Sequence, residues 1–240
     1  MSSAFPGFSA ESLQFFRSLA RNNNREWFLP RKPVFEQQVK QPMYGLVNRL
    51  NGAMARFAPD YRTEPAKAVY RFYRDTRFSK DKSPYKTHMA ASFRHRHLSG
   101  EAAGGGFYFA ISHKEVAIGG GMYMPSPETL LAVRRHLAQN HREFRKILAA
   151  KQVRSLLGEV HGERLTRVPK GFSPEHPAAD LLKHKQLYLY IELPPDLATS
   201  ANLEKEIVTR FKAMTPFLEF LNAPLAREKK PRIDPGELLI

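Results

Sequence analysis

Apolar residues near the start of the chain recur every three or four positions. Leu13, Phe16, Leu19 and Ala20 share one helical face, and Ser9 stands where a capping hydroxyl is needed, so the spacing predicts a helix of about three turns. Asn22-Asn23-Asn24 ends it, because Asn tolerates the left-handed conformation and competes for backbone hydrogen bonds. A second short helix is expected to carry Arg25, Trp27 and Phe28. Pro30 and Pro33 interrupt it, and helix resumes through Phe35 and Val39. After Pro42, the residues Met43, Leu46, Val47, Leu50, Met54 and Phe57 form another helical stripe, closed by Pro59-Asp60.

The period then changes. Val69–Phe72, Thr87–Phe93, Gly106–Ser112 and Glu115–Tyr123 are short, rich in aromatic and β-branched residues, and bounded by Gly or polar turns, which predicts strands. Only Ser112-His113-Lys114 joins the last two, so they must pair antiparallel. Pro127 opens a helix capped by Ser126, with Leu130, Val133 and Leu137 on its buried face, and shorter helices are expected through Phe144, Ile147, Leu148, Val153, Leu156 and Leu157. Gln186–Leu193 alternates as a further strand, and Ala201–Leu221 reads as a last helix kinked at Pro216. The pattern is α+β: a mostly antiparallel central sheet flanked by N-terminal and C-terminal helices. Residues 1–226 are expected to form a single domain, and residues 227–240 a basic, loose tail.

Composition narrows the function classes. Of 240 residues, 42% are hydrophobic, enough to build a core, and no apolar run approaches the roughly 18 residues of a membrane helix. Residues Met1–Phe16 show neither a basic head nor an apolar stretch, so no secretory signal is read and the cytoplasm is the expected address. Without Cys there is no disulfide framework, thiolate nucleophile or Cys-based zinc site. The net charge of +15 points to anionic partners.

That charge is densest between Arg71 and Lys86, where Arg71, Arg74, Arg77, Lys80, Lys82 and Lys86 accompany only Asp75 and Asp81. A pleated strand cannot gather so many cations on one face, so a loop from Asp75 to Pro84 must do it. Guanidinium forks match phosphate or carboxylate, and lysines add adjustable point charges. Asp75, between Arg74 and Arg77, suits orienting an Arg better than acting as a base. Tyr85 beside Lys86 suits proton relay, since nearby cations lower a phenol pKa. The competing account is an internal salt-bridge network that pins the loop; the excess of cations over carboxylates favours a ligand-facing role.

At these residues the chain resembles a known family. Arg71-x-x-Arg74-Asp75-x-Arg77-Phe78-x-x-Asp81-Lys82-x-x-Tyr85-Lys86 is similar to the signature of a bacterial family of conserved hypothetical proteins, a domain of unknown function of about this length. Phe8-Ser9, Asn22 to Phe28, Gly119-Gly120-Gly121-Met122-Tyr123, Pro169-Lys170-Gly171-Phe172 and His184-Lys185 share the resemblance, whereas Pro30 and Pro33 depart from it. It implies no reaction.

Asn24, Arg25 and Trp27 are further candidates for the same ligand, with Trp27 either a stacking platform or ordinary packing. Gly104-Gly105-Gly106 and Gly119-Gly120-Gly121 match neither a P-loop nor a dinucleotide fingerprint. The latter reads as a strand end or bulge where a ligand can approach closely. Lys170, His184 and Lys185 read as surface charge able to extend an anion site. The His spacings suit no metal, and no cofactor is expected. The leading reading is an anion pocket on the basic loop, with or without turnover. A nucleic-acid-binding module using Tyr73, Phe78, Tyr85 and His88 as stacking groups is the alternative, and docking of an acidic protein the third.

Overall fold

A computed structural model describes residues 5–98 and 104–226; the expected tail at 227–240 lies outside the described residues. The N-terminal helices are α1 (Ala10–Arg21), α2 (Arg25–Phe28), α3 (Lys32–Val34), α4 (Gln41–Met54) and α5 (Pro65–Ala68). The sheet comprises β1 (His88–Arg94), β2 (Gly106–Ser112), β3 (Val116–Met122) and β4 (Leu187–Leu193), paired in that order and antiparallel throughout. Between β3 and β4 lie α6 (Pro127–Ala149), α7 (Lys151–Leu157) and α8 (Ala179–Leu182), and α9 (Leu203–Asn222) follows β4. This is the α+β architecture expected.

Ser9 caps α1 by accepting from Ser12 N at 3.2 Å. From Arg25 to Met54 the path stays helical. Pro30 and Pro33 sit at first-turn positions of a 3₁₀ turn (Leu29–Arg31) and of α3, where the missing N–H has no intrahelical partner to lose. They break regularity at Arg31 (φ −100°, ψ 3°), and a π-helical turn at Phe35–Lys40 joins α3 to α4. The prolines therefore segment the helical path without opening it into a loop.

Alternation along the strands creates two unlike faces. Met89, Ala91, Phe93, Phe107, Phe109, Ile111 and Ile118 form the core face against α9, where Phe211 stacks on Phe107 with ring centres 4.6 Å apart. Each buried aromatic contributes about 1.5–3 kcal/mol. A Cβ at Gly120 would lie 2.5 Å from Met214 Sδ, so this glycine lets α9 lie close against β3. Ser112 closes the β2–β3 hairpin, its Oγ accepting from the N–H groups of Lys114 and Glu115 at 3.0 Å each.

One expectation needs correction. The Val69–Phe72 strand is reduced to one bridge, Val69 to Ala91, with Tyr70 N donating to Ala90 O at 2.9 Å, because the chain turns away at Phe72 to bury that ring. The shorter helix expected through Phe144, Ile147 and Leu148 is the second part of α6, set off by a kink at Asn140 (φ −121°, ψ 25°), whose amide donates to His136 O at 3.1 Å. The helix α9 continues through Pro216.

Gly121 (φ +139°) tests this account of the glycine run. A Cβ there would lie 2.5 Å from Tyr188 Cα, whereas at Gly158 (φ +72°) it would meet nothing within 4 Å. Gly158→Ala should cost the backbone strain alone, about 1–3 kcal/mol, and Gly121→Ala distinctly more. Urea unfolding midpoints of the two variants provide the check; equal losses would contradict it.

Candidate functional site

The basic loop is built on a buried aromatic base. Tyr73 and Tyr85 form an antiparallel bridge, Lys86 N donates to Phe72 O at 3.0 Å and Arg74 N to Pro84 O at 2.9 Å. Between these paired segments Phe72 and Tyr85 turn inward. Phe72 stacks on Phe35 and Tyr85 packs on Phe28, each pair with ring centres 4.2 Å apart, and Phe15 joins the cluster. Asn23 fastens the same point from the other side: its amide donates to Tyr85 O at 2.8 Å and its carbonyl accepts from Tyr85 N at 3.1 Å.

The asparagine run thus has three separate jobs. Asn22 donates to Ser18 O at 2.9 Å at the end of α1, Asn23 holds Tyr85, and Asn24 caps α2 by accepting from Trp27 N at 2.9 Å. Trp27 packs on Phe15, and the Arg31 guanidinium lies 4.6 Å from its ring centre. Arg25 is exposed. Asn24 and Trp27 are accounted for by local structure.

Above the base, the loop's carboxylates pair with two of its arginines. Arg77 holds Asp75 with two prongs, Nε at 3.1 Å and Nη2 at 2.8 Å, and its backbone N–H donates to the same carboxylate at 3.2 Å. Arg74 pairs with Asp81, which also accepts from Ser83 N at 2.9 Å and Ser83 Oγ at 2.5 Å. Lys82 donates to Thr76 O at 2.9 Å. These bonds favour the charged carboxylates. The side chain and backbone of Arg77 hold Asp75 below the ordinary value, and the Ser83 hydroxyl with Arg74 holds Asp81 well below it. Both are fixed acceptors, neither a base.

Three expected cations point elsewhere. Arg71 is 68% exposed, with Nη2 at 3.8 Å from Asp75, beyond hydrogen-bond length. Lys80 is exposed at the loop tip, beside Phe78, itself 95% exposed. Lys86 lies 5.3 Å from the Tyr70 ring centre, its pKa lowered by burial and by Arg71. Tyr85 departs from expectation: it is 3% exposed, and burial raises its pKa against the weaker pull of Arg25. Proton relay through that phenol does not fit a ring embedded in the core.

Beside the loop base lies a cleft of about 460 Å³. Phe28, Phe35, Phe72 and Met89 form its apolar floor. Lys32, Tyr44, Tyr70, Arg71 and Tyr73 stand around it, and Lys40 is tied to Glu36 at 2.8 Å. Arg71 is the one residue of the expected set that lines this cleft. Lys32, Tyr44 and Tyr70 escaped sequence reasoning, although Lys32, Glu36, Lys40 and Tyr44 recur every fourth residue and so mark one helical face. Elsewhere, His184 is buried, its Nδ1 3.2 Å from Gln186 O and its carbonyl held by Arg134 at 2.9 Å, and Lys185 pairs with Glu163 at 3.0 Å. They pin β4 and its approach. Among the described residues no group of three or more His, Asp or Glu is placed to hold a metal ion.

Two measurements probe this construction. Tyr85→Ala should cost about 3–5 kcal/mol and Asn23→Ala, losing two hydrogen bonds, about 1–3. Arg77→Ala, an exposed pair, should leave the unfolding midpoint nearly unchanged. Comparable losses at Arg77 and Tyr85 would show that the ion pairs, not the rings, hold the loop. Second, carboxyl-carbon NMR titrations of Asp75 and Asp81 should give midpoints below 3.8. Depressed folded-state values mean that the stabilisation is complete above the ordinary carboxylate pKa and is lost only as pH falls through the lower folded value. Midpoints at or above 3.8 would contradict the pairing.

Comparison with known proteins adds a family and no chemistry. No curated protein and no solved structure matches the chain. A family model described as "Conserved hypothetical protein (DUF2461)" matches residues 11–220, which takes in the helical path, the loop, the whole sheet and nearly all of α9. The chain belongs to the DUF2461 family of conserved hypothetical proteins.

Proposed function

We propose that the protein binds a small phosphate- or carboxylate-bearing ligand in the cleft, its anionic group held by Arg71 and Lys32 and its apolar or flat portion resting on the aromatic floor. The observation that carries this reading is the pairing of an apolar cavity with two rim cations, Arg71 and Lys32, that no carboxylate among the described residues holds at hydrogen-bond distance. Ligand sites are mostly apolar concavities with a few placed polar groups, and this cleft has that composition. Arg74 and Arg77 take a supporting part here: by engaging Asp81 and Asp75 they fix the loop from which Arg71 projects. Asp75, held by Arg77, lies 3.8 Å from Arg71. Lys86 and Lys80 add positive potential beside the loop, and Lys82 braces it.

Binding to the folded state raises thermal stability in proportion to the logarithm of ligand over Kd, about 2.7 kcal/mol at a hundredfold excess. Thermal-shift titration with inorganic phosphate, small carboxylates and nucleoside monophosphates should therefore give a saturable rise of several degrees for at least one class. Arg71→Ala and Lys32→Ala should abolish it, and Arg77→Ala should retain it. Absence of any rise, or an equal rise in Arg71→Ala, would overturn the reading.

A further inference from the structure

The sheet has a second face. Register places Ser92, Tyr108, Gly119 and Tyr190 in one straight row across the four strands, with Arg94, Gly106, Gly121 and Tyr188 in the next. On the other side of the tyrosine row stand Ala90, Ala110, Ala117 and Glu192. The three alanines are buried, and Tyr108 and Tyr190 pack on them while remaining partly exposed themselves. The small floor is therefore covered by phenol rings. Gly119 is required for this, since a Cβ there would lie 3.1 Å from the Tyr190 ring. The row extends past β1 to Tyr70, whose ring centre is 6.4 Å from that of Tyr108. Tyr188 adds a second aromatic group, stacked on His161 at 5.7 Å and met edge-on at 5.5 Å by Tyr123, itself 63% exposed.

Charge across this face is polarised. Arg94 and His88 lie on the tyrosine side by the alternation of β1, and Lys86, just before the strand, reaches the Tyr70 ring at 5.3 Å. Burial, reinforced by Lys86, lowers the His88 pKa and keeps that ring neutral. The carboxylates, Glu115 and Glu192, lie toward β3 and β4 beside Tyr190. Burial raises the Tyr108 and Tyr190 phenols to about 12, so neither carries a charge that would repel a phosphate.

We infer that this face binds single-stranded nucleic acid, with phosphates along the β1 edge at Lys86 and Arg94 and unstacked bases on Tyr108, Tyr190 and Tyr188. A sheet presenting aromatic rings at alternate positions is a stacking platform, and every base has a π-face to lay on it. Duplex DNA hides those faces, so only a single strand can use the tyrosines. A second copy of the chain is disfavoured as the occupant, because two molecules of net charge +15 repel, whereas a polyanion complements that charge. This surface meets the cleft at Tyr70, and its test does not touch Arg71 or Lys32.

The experiment is fluorescence anisotropy with a labelled oligothymidylate of about 20 nucleotides and a duplex of the same length, at about 50 and 200 mM salt. The single strand should bind more tightly than the duplex. Tyr108→Leu and Tyr190→Leu should each weaken it roughly 5- to 100-fold, the worth of one stacked base. The corresponding Phe variants keep the ring and should stay within about threefold of the parent. Circular dichroism melts identify any Leu variant that fails to fold. Lys86→Ala and Arg94→Ala supply the independent readout, each reducing the slope of log affinity against log salt by about 0.7. No binding at the lower salt, equal affinity for duplex, Leu variants that bind like the parent, or unchanged salt slopes would each overturn the inference. A dimer in sedimentation that the Leu variants dissociate would assign the face to self-association instead.

Discussion

The basic loop depends on two rings, Phe72 and Tyr85, that leave the loop and insert between Phe28, Phe35 and Phe15. Sixteen residues carrying six cations and two carboxylates would, left to electrostatics alone, spread into solvent. Burial of those rings is worth several kcal/mol and exposed ion pairs very little, so the aromatic base sets the loop's position and the Arg–Asp pairs refine its shape. Asn23 adds the backbone register, bonding both polar groups of Tyr85. Because Phe28 and Phe35 belong to the helical path and also floor the cleft, loop position and cleft shape are one structural fact.

Much of the fold could be read from spacing. The caps at Ser9 and Ser126, the β2–β3 hairpin, and the strands at Gly106–Ser112 and Leu187–Leu193 all follow from local rules and hold in three dimensions. Where the reading erred, tertiary packing won. Val69–Phe72 has strand composition, yet Phe72 is worth more in the aromatic cluster than in a ladder. Pro30 looked like a breaker, but a first-turn position absorbs it.

The site was harder to read, for a physical reason. Sequence shows that cations are dense between Arg71 and Lys86, but which guanidinium faces a carboxylate depends on side-chain geometry that no periodicity encodes. Asp75 and Asp81 neutralise Arg77 and Arg74, so the internal-network account describes the loop tip, and the ligand-facing account survives as a proposal at Arg71. Lys32, the other cation assigned to the ligand, lies on a distant stretch of chain. Tyr85, which sequence placed among ligand groups by its neighbour Lys86, alternates inward with Phe72. The glycine run was read as a place where a ligand approaches closely, but what approaches Gly119, Gly120 and Gly121 is the protein's own Tyr190, Met214 and Tyr188.

The division of labour among the arginines is the central claim, and a crystal structure grown with phosphate or a nucleoside monophosphate tests it most directly. The account predicts the anion within hydrogen-bond reach of Arg71 and Lys32, with Arg74 still on Asp81 and Arg77 still on Asp75. An anion bound by Arg74 and Arg77 with their aspartates displaced, or a cleft left empty at saturating ligand, would contradict it.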